Sequence, residues 1–172
     1  MAKIQIKTRV DIDGLKELDA ALKALGKPST IRRVLRPAVM AGARIIRRRA
    51  KALVPVKHGH LRKSIAAKVK TYRNGNVVGV VGPRSDYHIV RRSEVTGNIQ
   101  RIRPSNYAHL VEKGHAIKFS KKGPVVGHVP ARPFMKPAFE GGRAEIGAAM
   151  KSKVQSGLER EAAKAAAKGA RR

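Results

Sequence analysis

The sequence predicts an α+β fold. A small antiparallel sheet with an Asn-Gly hairpin packs against a long kinked basic helix, and a long C-terminal helix completes the chain. Three observations predict it. Between Ser29 and Leu53 apolar and cationic residues separate at helical period. Asn74-Gly75 sits between two strand-like runs, the strongest short-range hairpin signal. A final helix is expected from Ala138, and beyond Leu158 the sequence is mostly Ala, Lys and Glu, all strong helix formers.

In chain order, Lys3 to Val10 alternates apolar and polar residues and predicts a short strand. Asp11 or Asp13 caps a helix that runs to Leu25, with Leu15, Leu18, Ala21, Leu22 and Leu25 on one face. Gly26 ends it, and Pro28 separates it from the next. That next helix, capped by Ser29 or Thr30, puts Ile31, Val34, Leu35, Ala38, Ala41, Ile45, Ile46, Ala52 and Leu53 on one side. Arg32, Arg33, Arg36, Arg44, Arg47, Arg48 and Lys51 fall on the other. Arg49 points into the apolar arc, where its stem can snorkel outward. Pro37 predicts a kink, or a short helix followed by a long one. Pro55 ends the helix and Gly59 permits a turn.

Ser64 to Arg73 and the run after Asn76 are the hairpin strands. Gly79 and Gly82 in the second mark a bulge or a close approach. Tyr87 to Arg91 is a third strand, and Arg92 to Ser105 an exposed loop or hairpin extension carrying Arg91, Arg92, Arg101 and Arg103. A short helix from Pro104 to Lys113 stops at Gly114. Ala116 to Gly127 reads as a mobile basic segment. Pro130 to Pro137 is a stiff lead into a final helix from Ala138 to Lys168, striped with Ala144, Ile146, Ala149, Met150, Val154 and Leu158. Residues 1–158 thus form a single α+β domain, and 159–172 an Ala/Lys-rich extension and basic tail.

Composition narrows the function classes. The formal net charge is +28, from 39 Lys and Arg against 11 Asp and Glu, and no acid lies between Ala20 and Ser85. A field of one sign on this scale implies a polyanionic partner. No cysteine is present, which excludes a disulfide framework or a cysteine zinc site and fits a reducing cytoplasm. No apolar run approaches the roughly 20 residues of a membrane span, and MAKIQIKTRV lacks a signal peptide's apolar core. The histidine pairs His58/His60 and His109/His115 lack the convergent third ligand that a zinc site needs; Glu112 is the nearest acid to His109. No P-loop, nucleophile elbow, dinucleotide fingerprint or acidic nuclease cluster occurs. No enzyme is expected, and no cofactor. With aromatics at 3%, base stacking is a poor means of recognition, and charge spread over helix, hairpin and loop favours phosphate contact over base readout.

Three ordered blocks carry a resemblance. Val54-Pro55-Val56-Lys57-His58-Gly59-His60-Leu61-Arg62-Lys63-Ser64-Ile65 follows the long helix. Tyr107-Ala108-His109-Leu110-Val111-Glu112-Lys113-Gly114-His115 comes next, then Pro130-Ala-Arg-Pro133-Phe134-Met-Lys-Pro137-Ala138-Phe139. In this order they resemble the neck or tail-completion family of long-tailed bacteriophages, head–tail joining proteins and minor tail components. Its pattern runs P-V-x-T-G-x-L-x-x-S-I, Y-A-x-x-V-E-x-G-T, P-F-x-x-P-A. His58 and His115 stand where that pattern has Thr.

The resemblance implies a structural virion protein at the head–tail junction. Its partners would be further copies in a ring, expected to be a hexamer, the connector or stopper, the tail terminator or tail tube, and double-stranded DNA in the lumen. It would belong to the virion after assembly in the host cytoplasm, without a membrane. The lumen candidates are the Arg32–Lys51 face and the Arg91–Arg103 loop. The motif residues Pro55, Gly59, Leu61, Ser64, Ile65, Tyr107, Ala108, Val111, Glu112, Gly114, Pro133, Phe134, Pro137 and Ala138 are expected to set the fold and, through it, the interface. Two other readings stay open: a tail terminator capping the tail tube, and a nonspecific DNA-binding protein.

Overall fold

The computed structural model describes residues 26–92, 97–118 and 123–170, apart from the side chains of residues 168 and 169. The strand expected at Lys3–Val10 and the helix expected to reach Leu25 lie outside the described residues. The elements are α1 (Pro28–Leu53), α2 (His60–Ser64), β1 (Ile65–Thr71), β2 (Val77–Pro83), β3 (Ile89–Arg92) and β4 (Ile99–Ile102). There follow α3 (Pro104–Lys113), β5 (His115–Lys118), β6 (Val125–Val129), α4 (Met135–Glu140) and α5 (Arg143–Gly169). The fold is α+β, and its strands pair two by two: β1 with β2, β3 with β4, β5 with β6.

Helix α1 begins one residue before Ser29 and two before Thr30, the expected caps. Pro28 opens it, where its missing N–H costs nothing, and the Lys27 carbonyl accepts from the N–H groups of Thr30 and Ile31. Ser29 and Thr30 therefore sit inside the first turn rather than capping it. The helix runs on through Pro37, so the two-helix alternative is not realised. Pro37 is exposed while its neighbours on the helix surface, Val34 and Ala38, are buried, and their burial holds the turn together. The buried side includes Val34, Ala38, Ala43, Ile45 and Ala50. Ala52 and Leu53, expected there, are exposed: the last turn faces solvent before Pro55.

Between β1 and β2 the chain turns over three residues, 73–75. Tyr72 N–H donates to the Asn76 carbonyl at 2.9 Å. Gly75 takes φ 87°, while no non-glycine residue described has positive φ. Asn74 contributes its side chain instead, its Oδ1 accepting from the Asn76 N–H at 3.2 Å.

Contacts divide the chain into two compact units. The first holds Arg47–Ala66 and Val81–Gly141. Its core is Ala50, Val54, Leu61, Ile65, Ala108, Phe134 and Ala138, with Val81, Tyr107, Val111 and Met135 against it. Two antiparallel hairpins belong to it. β3–β4 pairs Ile89 with Ile102 through Arg92 with Ile99, and β5–β6 pairs His115 with Val129 through Lys118 with Val125, with an irregularity after Ile117. The segment expected to be mobile therefore contains most of a hairpin.

Of the described residues, the second unit holds 26–46, Ala67–Val80 and 142–170. Here α1 and α5 run antiparallel, since Gly42 meets Ile146 and Met150 while Val34 meets Gly157. A Cβ on Gly157 would lie 2.8 Å from Val34 Cγ1, and one on Gly42 would lie 3.0 Å from Met150 Sδ. Missing side chains thus set the helix separation. Val34, Ala38 and Val154 form the core, with Leu35 and Leu158 against it. Strand β2 approaches α1 at Gly79, whose Cβ would lie 3.0 Å from Val39 Cγ1; at Gly82 the same position is open. The final helix expected from Ala138 is two helices. Gly141-Gly142 turns the chain, and the Gly141 N–H bonds back to the Pro137 carbonyl. Of its expected apolar stripe, Ile146 and Val154 are buried and Ala144 is exposed.

Candidate functional site

The three motif blocks meet in the first unit, and one carboxylate ties the last two together. Glu112 lies in the last turn of α3, where the helix dipole disfavours an acid. Its Oε2 accepts from the backbone N–H groups of Phe134 (2.8 Å) and Met135 (3.0 Å), and its Oε1 from that of Lys136 (3.1 Å). These three groups open α4, which has no side-chain cap of its own. An acid misplaced at one helix C-terminus thereby serves another's N-terminus. Arg132 N–H donates to the Val111 carbonyl at 2.8 Å, adding a second tie between the same segments.

Gly114 has to be glycine for two reasons. Its φ is 69°, and a Cβ would stand 2.6 Å from the Val129 carbonyl oxygen. In the first block, Gly59 at φ 71° opens α2, and Ser64 Oγ donates to the Leu61 carbonyl at 2.7 Å. Leu61, Ser64, Ile65, Ala108, Phe134 and Ala138 are all buried; Tyr107 and Val111 are half-buried on one side of α3; Pro55, Glu112 and Pro137 are half-buried and Pro133 is exposed. Six of the motif residues thus lie in the interior of the first unit. Burial pushes the Tyr107 phenol up, and the Tyr87 phenol adds to that shift.

The cationic candidates occupy two surfaces. On α1, Arg33, Arg36, Arg44, Arg47 and Arg48 are exposed, and Arg32 and Lys51 partly so. Arg32 Nε donates to the Pro28 carbonyl, and Arg33 pairs with Glu161 of α5 at 3.2 Å. Lys164 also bonds Glu161, at 3.0 Å, and holds that carboxyl below the usual carboxylate range, with Arg33 adding to the effect. Among the described residues, Arg36, Arg44 and Arg47 enter no ion pair. Helical geometry lines up Arg36, Arg44, Arg47 and Lys51 along one side, with no large apolar residue exposed among the arginines.

The second surface is the β3–β4 hairpin, where Arg91, Arg92, Arg101 and Arg103 are exposed. It differs from α1 by carrying exposed Val90 and Ile99 among its arginines. Sequence reasoning missed β5–β6, although Ile117 and the Val125–Val129 run supply strand formers on both sides of Gly123-Pro124. It also missed the role of Glu112, whose position at a helix C-terminus was the available signal. His115 and His128 border a shallow hollow with Lys113 and Pro130, and the buried His115 Nδ1 has no hydrogen-bond partner among the described residues. Among the described residues no three His, Asp or Glu converge as a metal site would require, and no helix is long and apolar enough to cross a membrane.

No curated protein and no solved structure gives a significant match to the chain. One family model does match, over residues 16–114: the HK97-gp10-like family, described as "Bacteriophage HK97-gp10, putative tail-component". That span takes in α1, the first motif block, the second as far as Gly114 and both paired strands of the arginine hairpin; His115 and the Phe134 block lie beyond it. The match covers more than half of the 172 residues, and the chain belongs to the HK97-gp10-like family.

Proposed function

We propose that this chain is a structural subunit of the phage neck, assembling as a ring at the head–tail junction through which double-stranded DNA passes, with the cationic side of α1 turned to the phosphates. Membership of a phage tail-component family supports the virion role. The observation that carries the DNA contact is the row Arg36, Arg44, Arg47, exposed and outside every ion pair among the described residues. Such a row suits a polyanion met along its length, and it offers no base-reading geometry that would slow a moving duplex. The ring meets the connector or stopper on one side and tail proteins on the other.

The test pairs imaging with titration. Negative-stain images and light-scattering mass, at low and moderate salt, should show closed rings with a central hole of duplex width. Replacing Arg44, Arg47 and Arg48 with Glu should leave ring mass unchanged. It should also flatten the dependence of log K for duplex DNA on log salt by about 0.9 per lost phosphate contact. Tight, strongly salt-dependent binding by a monomer that never closes into rings would instead favour a nonspecific DNA-binding protein. Unaltered DNA retention in particles carrying the triple variant would remove α1 from the lumen.

A further inference from the structure

The β3–β4 ladder has two unlike faces. Its register sets Val90 opposite Arg101 and Arg92 opposite Ile99, so these four side chains share one face. The aliphatic pair lies on one diagonal and the guanidinium pair on the other. The opposite face carries Ile89 opposite Ile102, both half-buried. On the first face Val90 is 58% and Ile99 71% exposed, and Arg92 and Arg101 are exposed beside them. Arg92 is held partly in place by a bond from its Nε to the Gly97 carbonyl.

A surface that only meets phosphates gains nothing from two exposed aliphatic side chains. This face combines apolar area, which favours a dry contact, with two cations that favour carboxylates. The chain supplies one stretch of matching chemistry. Asp11, Asp13, Glu17 and Asp19 place four of its 11 acids within nine residues, interleaved with Leu15 and Leu18. Elsewhere two copies of a chain with net charge +28 repel each other, so this stretch is where a second copy can approach a cationic face at least cost.

Resting on the ring reading above, we infer that the Val90, Arg92, Ile99 and Arg101 face docks the Asp11–Asp19 segment of a neighbouring copy. The contact is head-to-tail, joining different surfaces of the two copies, which is the interface type that closes into rings. It divides the two basic surfaces between them: α1 for nucleic acid, the hairpin for protein.

The experiment is a charge exchange in the full chain, read by light-scattering mass against concentration. Arg92→Glu with Arg101→Glu, or Asp13→Lys with Glu17→Lys, should each raise the concentration of half-dissociation about a hundredfold, because like charges then face each other. A chain carrying all four changes restores opposite charges across the contact and should return to within about tenfold of the natural chain. That rescue separates a lost contact from a misfolded variant. Assembly that survives both double variants overturns the inference while leaving the ring reading intact. So does a hairpin variant that keeps its mass but loses DNA binding. Failure of the four-change chain to recover also overturns it. A natural chain that stays monomeric at every concentration overturns the ring reading and this contact with it.

Discussion

The two compact units reach stability by different means. In the first, charge is put to work inside: Glu112 satisfies three backbone N–H groups at the start of α4, and Phe134, one of those donors, is 1% exposed. In the second, absence does the work. Gly42 and Gly157 let α1 and α5 approach, and the core between them is Val34, Ala38 and Val154. A chain with 11 acids against 39 cations has few internal ion pairs to spend. Placing one carboxylate at a helix N-terminus, where three bonds and a dipole converge, gains more than a surface ion pair would. In the second unit Glu161 pairs with Arg33 and Lys164 outside the core, and close packing of small residues makes the core itself.

Glu112→Ala should break the first arrangement most severely, leaving three backbone donors at α4 without their acceptor. A loss of about 2–3 kcal/mol is expected, measured as a lower urea midpoint. Glu112→Gln should recover part of it, since the amide oxygen still accepts but without charge.

Gly157→Ala tests the second unit, pressing a Cβ to 2.8 Å from Val34 Cγ1. Overpacking of this kind costs about 1–3 kcal/mol. Combining it with Val34→Ala should cost less than the sum of the two single changes, because the shortened Val34 removes the clash. Additive costs would mean that the helices separate freely at this crossing.

The smallest effect belongs to Glu161. Its pKa in the folded chain lies below the ordinary value. It therefore contributes stability that is present above the unfolded pKa and lost as pH falls through the folded one. Glu161→Gln should remove that acid-side loss and make unfolding between α1 and α5 less sensitive to salt. An unchanged pH profile would show that Arg33 and Lys164 add nothing there.

Much of this was legible in the sequence. The amphipathic split of α1, the stop at Pro55, the turn at Gly59 and the helix Pro104–Lys113 ending at Gly114 follow from local rules of period, punctuation and backbone freedom. So did the shared half-buried side of Tyr107 and Val111. The three motif blocks stood out in order, yet nothing local said that Glu112 of one block bonds the backbone of another 22 residues away. The β5–β6 hairpin was hidden because basic residues and glycines there resemble a loop until the partner strand is found. The break at Gly141-Gly142 was masked by good helix formers on both sides.

By itself the sequence determined the α+β class, the excess of positive charge, where α1 and α3 lie and which residues punctuate them, since period, charge and backbone restriction act over a few residues. Only the tertiary structure decided that α1 continues through Pro37, that Arg33 is held by Glu161 while Arg36, Arg44 and Arg47 are not, and that Val90 and Ile99 lie exposed beside Arg92 and Arg101. Those outcomes depend on which distant surfaces are buried together, and burial is settled by the packed chain rather than by any neighbour in sequence.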